Sequence, residues 1–405
     1  MHAVRSPQTR RTGARALTVL LAAAALAAGP LGPASSAPRP GDSEDLTQVA
    51  YRGHIFTVPA SWQIVDLKKH PDTCVRFDRH AVYLGTPGSN QNCPARASGR
   101  TEALLVQPAA AADRAVTENA TARTYRATGD RITVTAAYGY DRTRIQDVLR
   151  SAGLPVAAAR PEGSAEQPKT APLPTDATSY QGEGFDACTA PSQSAMDAWR
   201  DDSPYGAIGV YIGGLNRACA QQHLTADWVR TQYTHGWRFF PLYVGRQPSA
   251  DGGSCGGGCS AITSPEPQGT AAADDAVKQA AALGFGKGTV IYNDLEHYEP
   301  GGKITDQVLS YLEAYTVRLH ALGYRSGAYG NTSSLVSDLI ANRGDVTLPD
   351  VIHFARWNGV SSTSDSSIPS TLWSKHQRIH QYVGDTTETH GGVRISIDRD
   401  RLDAD

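Results

Sequence analysis

Apolar and polar positions follow two rhythms along this chain, with a stretch between them that has neither. Between about Asp45 and Leu154, short apolar runs alternate with turns. "HIFTVPASWQIVDL", "HAVYLGTPG", "TEALLVQP" and "RITVTAAYGY" read as strands, and "RIQDVLRSAGL" as a short closing helix. They predict a small α+β domain over residues 45–154, with no gathering of acids or histidines that would mark catalysis. Residues 155–179, "PVAAARPEGSAEQPKTAPLPTDATS", show no periodicity and are rich in Pro and Ala, which predicts an extended, fairly stiff linker.

From residue 180 to residue 405 strands and helices alternate. "GEGFDAC", "AIGVYIGG", "RFFPLYVG", "GTVIYNDLE" and "RSGAYGN" read as strands. Helical patterns follow them at Ser192–Arg200, Thr225–His235, Ala271–Leu283, Thr305–Leu322 and Ser334–Asn342. "VIHFARWN", "RIHQYVG" and "VRISID" are further strands with less helix between them. Alternation of this kind implies a parallel sheet. The fold class predicted is α/β, a TIM-like β/α barrel with few helices between its last strands, preceded by the small α+β domain. A doubly wound open sheet is the second choice.

In a β/α barrel the working face lies at the carboxyl ends of the strands. The first predicted strand ends at Asp186, the fourth at Asp294 and Glu296, the eighth at Asp398. Residues two apart on a strand share a face, roughly 6 to 7 Å apart. Asp294 and Glu296 are therefore expected to crown the mouth together, with Asn293 facing outward under the helices. The first and eighth strands adjoin on closure, which brings Asp186 beside Asp398. Any one of these acids alone is more simply a helix cap or a partner for Arg394, Arg399 or Arg401. Four on one rim point to function, because like charges raise one another's pKa and leave one acid protonated beside an ionised one. That pairing is what glycosidic bond cleavage requires. Tyr211, Tyr243, Tyr292, Tyr329, Trp357 and Tyr382 fall near strand ends and are candidates to stack on sugar rings, although each alone is as easily a core residue. Gln381 and His380 are candidates to hydrogen-bond hydroxyls.

Charge and cysteine usage sharpen this picture. The formal net charge of −2 gives no global field for nucleic acid, and no partner of that kind is expected. Arg5, Arg10, Arg11 and Arg15 precede an apolar run, Ala16–Ala28, and small residues around Ser35-Ser36-Ala37. Residues 1–37 thus read as a secretory signal peptide, with Arg10-Arg11 as a weak twin-arginine pair. No other segment has the length and apolarity of a membrane helix. The protein is expected to be secreted or wall-associated and monomeric, with no cofactor and no metal. In an oxidising compartment its six cysteines, Cys74, Cys93, Cys188, Cys219, Cys255 and Cys259, are read as disulfides. Cys74 pairs with Cys93 within the first domain. Adjacent strands bring the loops of Cys188 and Cys219 together, and Cys255 and Cys259 close the glycine-rich loop "GGSCGGGC".

The blocks "GFDAC", "YNDLEHY", "HQYVG" and "ISIDRD" resemble those of the family 25 glycoside hydrolases, lysozymes that cut peptidoglycan, over about residues 182–402. They are still more similar to a sister group of secreted bacterial proteins with a glycoside-hydrolase-like domain of unsettled function. The resemblance implies Glu296 as general acid. It implies Asp294 as the carboxylate supporting the charged intermediate, directly or through the substrate's acetamido group. Asp186 and Asp398 are implied as supporting acids. The expected function is an exported glycoside hydrolase acting on cell-wall polysaccharide, chiefly peptidoglycan. The alternative is a non-catalytic wall-binding protein with a degenerate barrel. The glycine-rich insertion and Cys188 depart from the lysozyme pattern and bear on the shape of the groove.

Overall fold

A computed structural model describes residues 44–110, 113–156, 171–248 and 258–405. Residues 45–405 pack as one compact unit. The predicted signal peptide, most of the predicted linker, and Cys255 lie outside the described residues.

Strands β1 (Leu46–Tyr51) and β2 (His54–Pro59) form a hairpin. Then come β3 (Gln63–Asp66), β4 (Ala81–Leu84), β5 (Ala103–Pro108), β6 (Ala115–Asn119), β7 (Thr124–Gly129) and β8 (Ile132–Ala137). These make a six-stranded sheet in the order β3-β4-β5-β8-β7-β6. Helix α1 (Arg142–Ser151) lays Ile145, Val148 and Leu149 into its core and is capped by Asp141, whose carboxylate accepts from Arg144 N–H. This half is α+β, as the sequence predicts, but β1, β6 and β7 were not foreseen.

The second half begins with Leu173 and a short turn of helix at Thr175–Thr178 packed on the barrel that follows. Its elements are β9 (Tyr180–Asp186), α2 (Gln193–Asp202), β10 (Tyr205–Gly213), α3 (Ala226–Thr234), β11 (Arg238–Tyr243), α4 (Pro265–Ala282), β12 (Val290–Asp294), α5 (Gly302–Leu322), β13 (Arg325–Asn331), α6 (Leu335–Ala341), β14 (Val351–Ala355), β15 (Gln377–His390) and β16 (Val393–Ala404). Strands β9 to β16 close into a barrel in chain order. Every residue of β10 is buried, which is why "YGAIGVYIG" reads as an unbroken small and apolar run: helices cover one side and the barrel core the other. Ala207, Phe240, Val290, Tyr292, Val351 and Ile379 fill the interior. Trp199, Trp228, Tyr311 and Tyr315 pack the helices against the outside.

One expectation is corrected. Strands β9 to β15 are parallel, but β16 runs antiparallel to both β15 and β9. A two-residue turn, Gly391-Gly392, joins β15 to β16, with φ of 54° and 75°. Both values lie in the left-handed region that a tight hairpin turn needs and glycine adopts without strain. A hairpin reverses the chain, so no crossover helix is required. Asp398 therefore sits within a strand, not at a carboxyl end, yet it pairs directly with Asp186.

The sheet of the first half also docks on the barrel. Arg76 and Ser98 form antiparallel bridges with Cys219 and Arg217, in the loop after β10. Two disulfides lie at this junction, Cys74–Cys93 and Cys188–Cys219, in the pairing expected. Cys259 is also disulfide-bonded.

Candidate functional site

The four acids named from the sequence converge at the barrel mouth. Asp294 is the last residue of β12, and Glu296 lies two residues beyond it. Gln247 fixes this turn from both ends: its side-chain amide donates to Asp294 O at 2.9 Å, and its carbonyl accepts from Glu296 N–H at 2.9 Å. Gln247 is buried and has no signature in the sequence. Asn293 points outward, as expected, and donates to the Tyr311 hydroxyl on α5.

Gln381 is the hub of the site. Its NH₂ group donates to Asp186 Oδ2 at 2.9 Å and to Asp398 Oδ2 at 3.4 Å. Its oxygen accepts from the Tyr329 hydroxyl at 2.9 Å and from the Trp357 indole at 3.0 Å. Tyr211 donates to Asp186 Oδ1 at 2.7 Å, and Asp385 N–H donates to Asp398 Oδ1 at 2.6 Å. Tyr211, Tyr329, Trp357 and Gln381 thus stand where the sequence places them. Gly384 leaves room for the indole, because a Cβ there would overlap the Trp357 ring.

Three aromatic candidates stand elsewhere. Tyr243 lies outside the barrel and donates to Asp275 on α4, because its strand turns alternate residues toward the helices. Tyr382, next to Gln381, faces outward for the same reason and donates to Glu183. Tyr292 points inward but lies in the apolar core. His380 also lies on the outside, stacked on Phe354 and bonded to backbone carbonyls of Ser362 and Arg356.

Two residues not singled out lie beneath the rim. Asp400 and His353 are fully buried and joined by a 2.8 Å hydrogen bond between Oδ1 and Nε2. Asp400 stands two residues after Asp398, so the period of the strand could have pointed to it. Asp186, His353 and Asp400 each offer a ligand atom within 4.8 Å of the others, which makes them the residues able to hold a cation here. The cysteine cluster Cys74, Cys93 and Cys219 offers no thiolates, since all three are oxidised.

Electrostatics set the acids apart from ordinary surface carboxylates. Burial pushes Asp186 up to about 7, with Asp400 adding to the effect. Burial likewise raises Asp398 to about 8, aided by the charge of Asp186. Asp294 is raised well above the usual range by burial and then by Glu296 and Asp186, with Arg96 opposing. Asp400 is also raised, by burial first and Asp398 second. Burial lowers His353 to about 4, so the imidazole is neutral. Glu296 differs in access: its side chain retains 12% exposure and borders a cavity of about 200 Å³. His297, Tyr329, Asn331, Trp357 and Arg96 line the same cavity.

Arg96 comes from the first half of the chain. Its guanidinium lies 3.2 Å from Asp385, 3.9 Å from Glu296 and 4.0 Å from Asp398. It stacks over Trp357 at 4.5 Å from the ring centroid. Ser98 donates to Glu296 Oε1 at 3.0 Å.

A closed β/α barrel with acids gathered at its mouth defines a glycoside-hydrolase-like domain. The chain belongs to the family described as Rv2525c-like, glycoside hydrolase-like domain, whose model matches residues 197–402, just over half the sequence. Among solved structures it is similar to the Tat-secreted protein Rv2525c of Mycobacterium tuberculosis in complex with L-tartrate (16% identity, TM-score 0.39, covering 55% of this chain and 96% of that one). It is also similar to the catalytic domain of endolysin ply40 from Listeria monocytogenes bacteriophage P40 (13% identity, TM-score 0.33, 55% and 93%). A third is the modular autolysin LytC of Streptococcus pneumoniae in complex with a synthetic peptidoglycan ligand (11% identity, TM-score 0.37, 70% and 57%). No curated protein matches the chain.

Proposed function

We propose that this protein is an exported glycoside hydrolase acting on cell-wall polysaccharide, with peptidoglycan as its substrate class. The observation that carries this reading is the division of labour among the acids. Glu296 borders the cleft, while Asp294, Asp186 and Asp398 lie behind it, where burial raises their pKa values above the usual carboxylate range. Glycoside hydrolysis needs one carboxyl to protonate the leaving oxygen and another to support the positive charge at the anomeric carbon. Glu296 is the acid placed to reach a glycosidic oxygen. Asp294 supports the developing charge, directly or through the sugar's acetamido group. Asp186 and Asp398, joined through Gln381, tune this pair and hold the sugar. Trp357, 47% exposed at the cleft edge, offers a flat face to the apolar side of a sugar ring. The disulfides suit an oxidising, extracellular setting.

The second reading is a wall-binding protein that keeps the groove without the chemistry. It is favoured by one observation: three of the four acids are almost closed off from solvent. Release of reducing ends from purified peptidoglycan separates the two. Wild type is expected to release them, and Glu296→Gln to lose at least about a hundredfold of the rate, the usual scale for a general acid. No release by wild type, with both proteins still pelleting with the wall, would make the acids a recognition rim.

A further inference from the structure

The segment from Cys93 to Arg100 belongs in sequence to the first half of the chain, yet it lies across the barrel mouth. Both of its ends are pinned. Cys93 is bonded to Cys74, and Ala97 packs against the two disulfides. At the other end Gly99 N–H donates to Asn216 O at 2.8 Å. Arg100, fully buried, donates to the carbonyls of Leu215 and Arg217 at 2.9 and 2.6 Å.

Between these anchors two side chains enter the cleft, and each occupies a place a saccharide would need. The Ser98 hydroxyl donates to Glu296 Oε1, the carboxyl that has to meet a glycosidic oxygen. Arg96 covers one face of the Trp357 ring, the kind of surface on which a sugar ring stacks. The guanidinium also lies within 4.0 Å of Asp385, Glu296 and Asp398 together, and donates to Asp385. Its Nε is buried without a hydrogen-bond partner, so the fit is electrostatic and not fully bonded.

We propose that Cys93–Arg100 is an autoinhibitory strap, an internal occupant of the saccharide cleft that has to withdraw before polysaccharide can enter. The proposal rests on the reading of the cleft as a saccharide site. It assigns the first half of the chain a role, because the strap is carried on its sheet and locked by the Cys74–Cys93 bridge. It also accounts for the near-complete burial of Asp294 and Asp398 in a site meant to meet substrate.

The test compares wild type with Arg96→Ala, Ser98→Gly and the double variant, in the full chain. Reducing-end release from purified peptidoglycan and binding of soluble N-acetylglucosamine oligosaccharides are measured side by side. An occluded site lowers apparent affinity by the fraction of open molecules, so the double variant is expected to gain at least about tenfold in release and binding. Adding Glu296→Gln should abolish the gained release. If wild type is active and the variants are equal or slower, the strap proposal is overturned while the hydrolase reading stands; Arg96 is then a substrate contact. If no protein releases reducing ends but the double variant binds at least about tenfold tighter, the strap stands and the hydrolase reading falls. Unchanged binding with no release in any variant overturns the strap. Ser98→Gly removes only a hydroxyl and keeps the test decisive should truncation of Arg96 disturb the fold.

Discussion

Both halves of the chain bury carboxylates, and they treat them in opposite ways. In the amino-terminal sheet, Glu118 accepts from Tyr138 at 2.7 Å and from two nitrogens of Arg142 at 2.8 and 2.6 Å. Glu102 accepts from the N–H groups of Gly139 and Asp141 and from Thr101. Burial raises both, but these donors outweigh it and hold both below the usual carboxylate range. At the barrel mouth Asp186, Asp294, Asp398 and Asp400 face one another, and burial drives all four up. The first arrangement spends acids on structure. The second leaves the effect of burial uncompensated, and strongly raised acids in a cluster mark a candidate functional site.

The sharpest way to break this contrast is to neutralise one acid in each half. Asp294→Asn replaces a carboxyl whose neutral form burial favours, so the fold is expected to keep its melting temperature. Reducing-end release is expected to fall about a hundredfold, because the amide cannot ionise as charge develops. Gln247→Ala should cost about tenfold in the same assay by freeing the Asp294–Glu296 turn, with a kcat loss larger than the KM change. Glu118→Gln should do the reverse: activity per folded molecule unchanged, and stability lowered by about 1 to 2 kcal/mol in urea unfolding, since Arg142 is partly exposed.

Titration sharpens the same comparison. Asp398, raised from 3.8 to about 8, binds its proton more tightly folded than unfolded. Its contribution to stability is present at acid pH and is lost as pH rises through about 8. Glu118 has the opposite sign, contributing above its unfolded pKa and losing that contribution as pH falls. Melting curves should therefore fall less steeply between about pH 4 and pH 8 in Asp398→Asn than in wild type, and should flatten on the acid side in Glu118→Gln. If the part of this slope that Asp398→Asn removes is absent, Asp398 is not raised by the fold.

The barrel was legible because each parallel strand is an apolar run followed by a helical period. The acids were legible because strand-end position translates directly into the mouth. Strands β6 and β7 were missed because "AVTEN" and "TYRATG" carry polar residues on exposed faces and look like loop. The direction of β16 was missed because alternation of side chains is the same in either sense, although "HGGV" held a hairpin turn in plain view. Tyr243 and Tyr382 were misplaced because nearness to a strand end does not say which face a residue takes; a one-residue offset reverses it. Arg96 and Ser98 left no trace in the sequence, since about 200 residues separate them from Glu296 and only folding brings them together.

The pairing of β9 with β16 also governs when the site comes into being. Tyr180 meets Ala404 and Asp186 meets Asp398, contacts that span nearly the whole barrel sequence. Such long-range pairing is slow to form, because loop closure has to be met before the contact rewards it. Until the last strand is in place β9 has one open edge, and an open edge is a template for misassembly. The pairing that closes the barrel is also the one that brings Asp398 beside Asp186, so a chain without β16 has neither the closed barrel nor the acid cluster.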